Sequence, residues 1–285
     1  MTGAPAAPVP YERPGRASVA LLGLPYDASS SFQRGPAEGP PLVRRALFSD
    51  AGNMFSEALV DLGEPGALVD AGDLPLGGHA TSTPALREAI EAGVAAVLAR
   101  GQLPLSLGGD HSVSYPAVRA VAARHGRLAL LQVDAHPDLY DSFEGDRYSH
   151  ACPFARLMEE GLAERLVQVG VRTMTRHQKE QADRFGVEVV TMRDWRPELR
   201  LHFDVPVYVS VDMDGIDPGF APGVSHREPG GLTPREVIRL IQTLDCPAVV
   251  GADVVEFNPR ADVGGVTATV AAKLVKELAA RMLGS

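Results

Sequence analysis

The chain has 285 residues, 45% of them hydrophobic and 22% charged, which is enough for a sizeable core in one or two domains. Its net charge of -9 argues against a nucleic-acid partner, which asks for a basic surface, and suits a small cationic one. The two cysteines, Cys152 and Cys246, form neither a disulfide framework nor a metal-spaced pair, and no stretch approaches the roughly 20 apolar residues that a membrane span needs.

The opening "MTGAPAAPVPYERPGR" has no apolar segment of the secretory kind, so residues 1–16 read as an N-terminal arm on a cytoplasmic protein. From residue 17 onward, strands and helices alternate. "SVALLGLPYD" is a first strand, and "PALREAIEAGVAAVLARG" has apolar residues at helical spacing and closes on Gly. "LPLSLGGD" is a strand followed by the helix "HSVSYPAVRAVAARHG"; "RLALLQVDAH" is a strand, and "SHACPFARLMEEG" begins a helix. "RLVQVGVRT", "HQKEQADRFG" and "VEVVTM" read as strand, helix and strand. "VPVYVSVDMDGIDP" is the clearest strand; the helix "TPREVIRLIQTL" follows with Thr233 as N-cap, then the strand "AVVGADVVEFNP" and a closing helix "VTATVAAKLVKELAARML". This alternation predicts an α/β fold with a central parallel sheet covered by helices on both faces, and no linker divides 17–285.

Ligands of such sheets bind beyond the carboxyl ends of the strands, and four strands end in polar clusters: "LGGDH", "VDAHPD", "SVDMDGIDP" and "DVVEFNP". Residues two apart on a strand share a face, which pairs Asp134 with His136 and Asp212 with Asp214. A turn after His136 can return Asp138 to the same point, and His111 follows a Gly-Gly pair at another strand end. Taken singly, each cluster reads as turn and cap chemistry. Taken together, four carboxylates in one place repel and cost several kcal/mol each to desolvate, and two divalent cations cancel that charge. Six ligands suit a pair of ions about 3.5–4 Å apart, and mostly oxygen donors with a few imidazoles favour manganese over zinc.

The segments "LSLGGDH", "DAHPDLYDSFEGDRYSHACPFARLMEEG", "SVDMDGIDPGFAPGVSHREPGGLT" and "GADVVEFNP" resemble the arginase/agmatinase (ureohydrolase) family over nearly the whole chain, nearest to its plant-type arginases. The resemblance implies a three-layer α/β/α fold, two Mn²⁺ per subunit, a homo-oligomer (trimer or hexamer), and hydrolysis of a guanidino compound to urea and an amine. It implies His111, Asp134, Asp138 and Asp212 around one manganese and Asp134, His136, Asp212 and Asp214 around the other, with Asp134 and Asp212 bridging. It further implies that His150 shuttles protons, that Asp138 passes one to the leaving nitrogen, and that Glu256 receives the guanidinium.

Without the motifs, Glu256 reads as a strand-end cap, His150 as a helix cap, and Asp110 as an N-cap or a partner of the site; His226 lines the mouth or packs its loop. His79, His125, His177 and His202 read as ordinary histidines, and Cys152 is rejected as a nucleophile. For the far end of the substrate, Ser142, Arg147 and Ser149 are the candidate partners of an α-carboxylate. Asp141, Glu144 and Asp146 instead suit a purely cationic substrate, and Tyr140 stands where animal arginases carry Asn. Arginine is placed ahead of agmatine, with a single-metal deacetylase-like enzyme and a non-catalytic scaffold as further alternatives.

Overall fold

The structure, a computed structural model, describes residues 17–77 and 82–284, so the proposed arm at 1–16 lies outside the described residues. One sheet of eight strands runs through the molecule: β1 (Val19–Leu24), β2 (Leu68–Asp73), β3 (Leu103–Gly108), β4 (Ala129–Val133), β5 (Arg165–Val171), β6 (Glu188–Thr191), β7 (Val207–Asp212) and β8 (Val249–Val255). Their spatial order is β2-β1-β3-β8-β7-β4-β5-β6, and every pair is parallel. The helices are α1 (Gly39–Leu47), α2 (Pro84–Ala99), α3 (Ser114–His125), α4 (Pro153–Glu159), α5 (Arg176–Phe185), α6 (Pro234–Gln242) and α7 (Val266–Leu283).

The inner strands are apolar on both faces because both faces are covered. Val19 and Leu21 of β1 join the core under α1, α6 and α7, where Val43, Ile241 and Leu278 are buried. Ala20, Leu22 and Leu24 point the other way, into a second core with Ile90 of α2, Val118 of α3, Phe154 of α4 and Ala182 of α5. These are the three layers expected from the sequence.

Two elements were not anticipated. "GPPLVRRAL" forms α1 although two prolines open it; Pro fits the first turn of a helix, whose amides have no partner in any case. "LVDAGD" forms the edge strand β2, whose residues from Val69 onward are exposed, so no apolar alternation marks it. The helix expected from "SHACPF" starts only at Pro153.

The chain passes from β3 to β4 across the two places later filled by β8 and β7. The ends of β3, β8, β7 and β4 are thereby neighbours, at the point where such sheets open a crevice. Gly109, just past β3, is needed there: a Cβ on it would lie 1.7 Å from the carbonyl oxygen of Tyr26.

Candidate metal centre and active site

Each candidate ligand stands just past the end of one of these central strands. His111 opens the turn after β3, Asp134, His136 and Asp138 follow β4, and Asp212 and Asp214 close β7. His111 Nδ1 lies 3.0 Å from Asp138 Oδ2, 3.1 Å from Asp134 Oδ2 and 3.2 Å from Asp212 Oδ2. His136 Nδ1 lies 3.1 Å from Asp214 Oδ2 and 3.5 Å from Asp134 Oδ1. Two donor sets suited to a cation result, His111/Asp134/Asp212 and Asp134/His136/Asp214, with Asp134 in both. Asp138 reaches the first set by a backbone turn at φ 49°, in the left-handed region that an ordinary residue enters only when its surroundings hold it there.

The electrostatics are those of a site built around positive charge. Burial pushes Asp212 well above the usual carboxylate range, and repulsion from Asp214 and Asp134 adds to it. Burial and then Asp134 push Asp138 up to about 6. Burial disfavours charge on His136, but Asp214 and Asp134 outweigh it and drive the imidazole up to about 12. His111 Nδ1 makes no hydrogen bond of good geometry despite three carboxylates within 3.2 Å. Oxygen-rich donors around an imidazole lone pair fit a divalent ion of the manganese type, so the residues present suit the expected metal.

Glu256 follows β8 at φ 60°, again left-handed. Its Oε1 accepts from the His111 amide at 2.9 Å, while Oε2 is buried with no hydrogen-bond partner among the described residues. The capping role and an available carboxylate oxygen thus coexist in one side chain. Asp110 takes the capping role: it accepts from Ser112 in its own turn, and it also accepts from the Ser29 amide at 2.8 Å.

His150 does not cap α4, whose N-cap is Cys152 without a side-chain bond. Its ring is placed by Ser31, with Nε2 2.9 Å from the hydroxyl, and Nδ1 lies 3.8 Å from Glu256 Oε1. Burial, and then the nearby His226, push it down to about 3, so the imidazole is neutral near pH 7 rather than poised to titrate there. His226 lines the mouth: it stacks on His150 with 5.3 Å between ring centroids and meets His136 edge-on at 5.9 Å. Burial raises the Cys152 thiol to about 12, which removes it as a nucleophile.

His136, Asp138, Asp212, Asp214, His150, His226 and Glu256 line a cavity of about 200 Å³. Its outer wall holds Ser31, Tyr140, Phe143, Thr173, Thr175 and Gln178. Ser149 is not brought into that wall; its hydroxyl accepts from the Ala151 amide at 3.4 Å, within the loop. Ser142 is not in the wall either, and Arg147 is held by Asp141 and Glu159 at 2.7 and 2.9 Å. Asp141, Glu144 and Asp146 also lie outside it. The residues that do face the far end of the cavity were missed. Thr173 and Thr175 carry a usable signal, because they follow β5, the neighbour of β4. Ser31 carries none, because only folding brings it to His150. Of the remaining histidines, His177 stacks on Tyr140, His202 is exposed between Asp204 and Asp245, and His125 ends α3; His79 lies outside the described residues.

A parallel sheet whose central strand ends present two linked His/Asp donor sets beside a buried, half-free carboxylate defines a metal-dependent hydrolase of the three-layer α/β/α kind. The pattern of the arginase family matches residues 17–280, and the chain belongs to that family. Arginase 1, mitochondrial, of Arabidopsis thaliana is 49% identical over 94% of this chain and 82% of its own length. The solved arginase from Medicago truncatula superposes with a TM-score of 0.87 at 44% identity, covering 94% of this chain and 88% of its own. Agmatinase, mitochondrial, of Gallus gallus is 36% identical over 91% of this chain and 79% of its own length.

The cytoplasmic expectation is overturned by names of this kind: the arginases of Arabidopsis thaliana and Medicago truncatula are called mitochondrial or chloroplastic/mitochondrial. The inference failed because lack of an apolar run excludes only secretory signals, whereas organelle-targeting segments are amphipathic and polar. Among the described residues, no helix is long and apolar enough to cross a membrane.

Proposed function

We propose that this protein is an arginase, which hydrolyses L-arginine to ornithine and urea with two Mn²⁺ held by His111, Asp134, His136, Asp138, Asp212 and Asp214. The observation that carries the reading is Glu256: a buried carboxylate oxygen without a hydrogen-bond partner among the described residues, in the wall of a cavity that His136, Asp212 and Asp214 of the donor sets also line. Six paired donors alone describe many hydrolases. A carboxylate placed to take a planar cation narrows the choice to amidines and guanidines.

The paired ions supply the charge that allows water to act as a nucleophile near neutral pH. The rest is the work of side chains. Glu256 pairs with the guanidinium through Oε2 while the His111 amide steadies Oε1. That pairing turns the guanidinium carbon toward the metal-facing carboxylates. Asp138, whose carboxylate lines the cavity beside the donor sets, is placed to receive a proton from the attacking water and return it to the leaving nitrogen. His150, tethered to Ser31 at the cavity wall, relays a proton between the site and the outside, holding it only briefly because burial disfavours the charged ring. Tyr140, Phe143 and His226 line the cavity with rings and limit the entry of water.

Agmatine is the second substrate to weigh, because among the described residues no Lys or Arg lines the cavity to receive an α-carboxylate. Hydroxyls and an amide, from Ser31, Thr173, Thr175 and Gln178, are the groups at that end. We place arginine first because the plant relatives named arginases share 45–49% of the sequence, and the agmatinase 36%. Urea release from arginine, agmatine and guanidinobutyrate, measured on manganese-loaded protein, decides the matter. Arginine is expected to exceed agmatine at least tenfold in kcat/KM, and a reversed order makes the protein an agmatinase. The subunits are further proposed to assemble as a homo-oligomer, which sedimentation checks.

A further inference from the structure

Beneath the cavity, a row of polar side chains crosses the sheet where apolar ones would ordinarily pack. The register aligns Ser106 with Asp253, Asp253 with Ser210, Ser210 with Gln132, and Gln132 with Gln168. All five are at most 1% exposed. Residues two apart on a strand share a face, so Gln132 lies directly under Asp134, and Ser210 under Asp212. The row is a floor, one side chain below the ligand layer.

Its hydrogen bonds have a direction. Asp253 accepts from Tyr208 at 2.8 Å and from Ser210 at 2.6 Å. Each oxygen of the carboxyl thus takes a hydroxyl proton, Oδ2 from Tyr208 and Oδ1 from Ser210, the arrangement of a carboxylate that accepts on both sides. An ionised carboxylate can only accept, and a serine hydroxyl has one proton to donate. Ser210 has committed that proton to Asp253, so toward His111 Nε2, 2.9 Å away, its oxygen can only accept. The hydrogen of a neutral His111 ring is therefore on Nε2. Nδ1 keeps its lone pair, and Nδ1 is the atom that faces Asp134, Asp138 and Asp212.

We propose that Asp253 and Ser210 are positioning residues for the metal centre: they fix the tautomer of His111 so that Nδ1, and not a ring N–H, is presented to the ion. The other half of the floor works on Asp134. Gln132 donates to Asp134 Oδ2 at 2.6 Å and to the His136 carbonyl at 3.2 Å, and its own carbonyl accepts from Gln168 at 2.5 Å. Reversal of the Ser210 hydroxyl would place a ring N–H against three carboxylates and deprive one cation of its only nitrogen ligand.

The proposal rests on the reading of His111 as a ligand, and the test separates the two. Manganese affinity is measured by equilibrium titration on the full chain, with Ser210→Ala, Ser210→Thr and Ser106→Ala beside the parent. Loss of the acceptor in Ser210→Ala should weaken manganese binding about 10–100-fold, the usual range for a partner of a metal-bound imidazole. Ser210→Thr keeps the hydroxyl and should stay within about threefold of the parent. Ser106→Ala is the control, because the Ser106 hydroxyl is part of the floor but has no hydrogen-bond partner among the described residues. The metal-free melting temperature of each variant reports folding separately. In zinc-loaded parent protein, selectively labelled histidine should show the His111 ring proton on Nε2 by ¹⁵N correlation spectroscopy. A proton on Nδ1, or parent-like affinity in Ser210→Ala, overturns the positioning role and leaves the metal centre standing. A parent protein that takes up no divalent ion removes the metal reading, and the positioning role with it.

Discussion

Two residues in this site, Asp138 and Glu256, adopt the left-handed backbone, at φ 49° and 60°. Such a conformation costs an ordinary side chain on the order of 1–3 kcal/mol, and it persists where the surroundings over-determine it. Both residues aim a carboxylate into the cavity that a β or α conformation would carry elsewhere. Glu256→Gln keeps that aim and the size while removing the charge. A charge-assisted hydrogen bond is worth about 1.5–3 kcal/mol, so kcat/KM should fall at least about tenfold, with manganese content unchanged. Steady-state kinetics beside metal analysis checks this; unchanged kinetics would reduce Glu256 to a cap for the His111 turn. His150 is the other residue on which a role turns. Its imidazole is buried in the cavity wall, held by Ser31 and outside both donor sets. His150→Asn should lower kcat by about tenfold or more while both ions remain bound. A variant with parental kcat makes the ring a packing element beside His226.

At the scale of elements, the loop after β7 shows how a short segment is held rigid without regular structure. Arg172, just past β5, donates to the carbonyls of Asp214, Gly215, Gly170 and Glu228, with the bond to Asp214 at 2.6 Å. One guanidinium therefore binds the ends of two strands and the "HREPGG" loop together. Helix α3 illustrates the opposite case, in which an element pays a penalty unrelated to the site. Burial, with Arg124 beside it, pushes His125 from 6.5 down to about 4. Between those values the unfolded chain holds a proton that the folded chain rejects, so stability increases with pH across the window and is lost as pH falls through it. Chemical denaturation between pH 4 and 6.5 should therefore show a smaller slope of stability against pH for His125→Gln than for the parent. Equal slopes would assign the acid sensitivity to other groups.

For the whole molecule, the sheet order is what makes the centre possible. β3, β8, β7 and β4 are contiguous, so four loops distant in the chain end within reach of one another. The resulting concentration of buried carboxylates is a burden on the metal-free fold. Asp212 and Glu256 are both pushed well above the usual range, chiefly by burial. Manganese that binds only the folded state stabilises it by about 2.7 kcal/mol at a hundredfold excess over Kd. For a chain of this size the melting temperature should rise by roughly 5–10 °C on loading and fall again with a chelator. Calorimetry that finds the same melting temperature with and without manganese would contradict coupling between this centre and the fold.

The D-x-H-x-D and D-x-D clusters were legible in the sequence because each directly follows an apolar strand; strand alternation is not what pairs them, since Asp134, His136 and Asp138 lie past the end of β4 and Asp214 in the turn after β7. The parallel layered fold was legible for a related reason, since strands apolar on both faces must be covered on both. The sequence did not reveal which strand ends would meet, because strand order follows from how α1, α6 and α7 pack on one face and α2 to α5 on the other. It did not reveal β2, an exposed edge with no apolar pattern, or that Arg147 would be engaged by Asp141 and Glu159, away from the cavity. The tether of His150 to Ser31 spans 119 positions, and the contact of Ser210 with His111 spans 99. Contacts at such separations have no local signature; they exist only once the sheet has closed its register and buried the polar floor beneath the site.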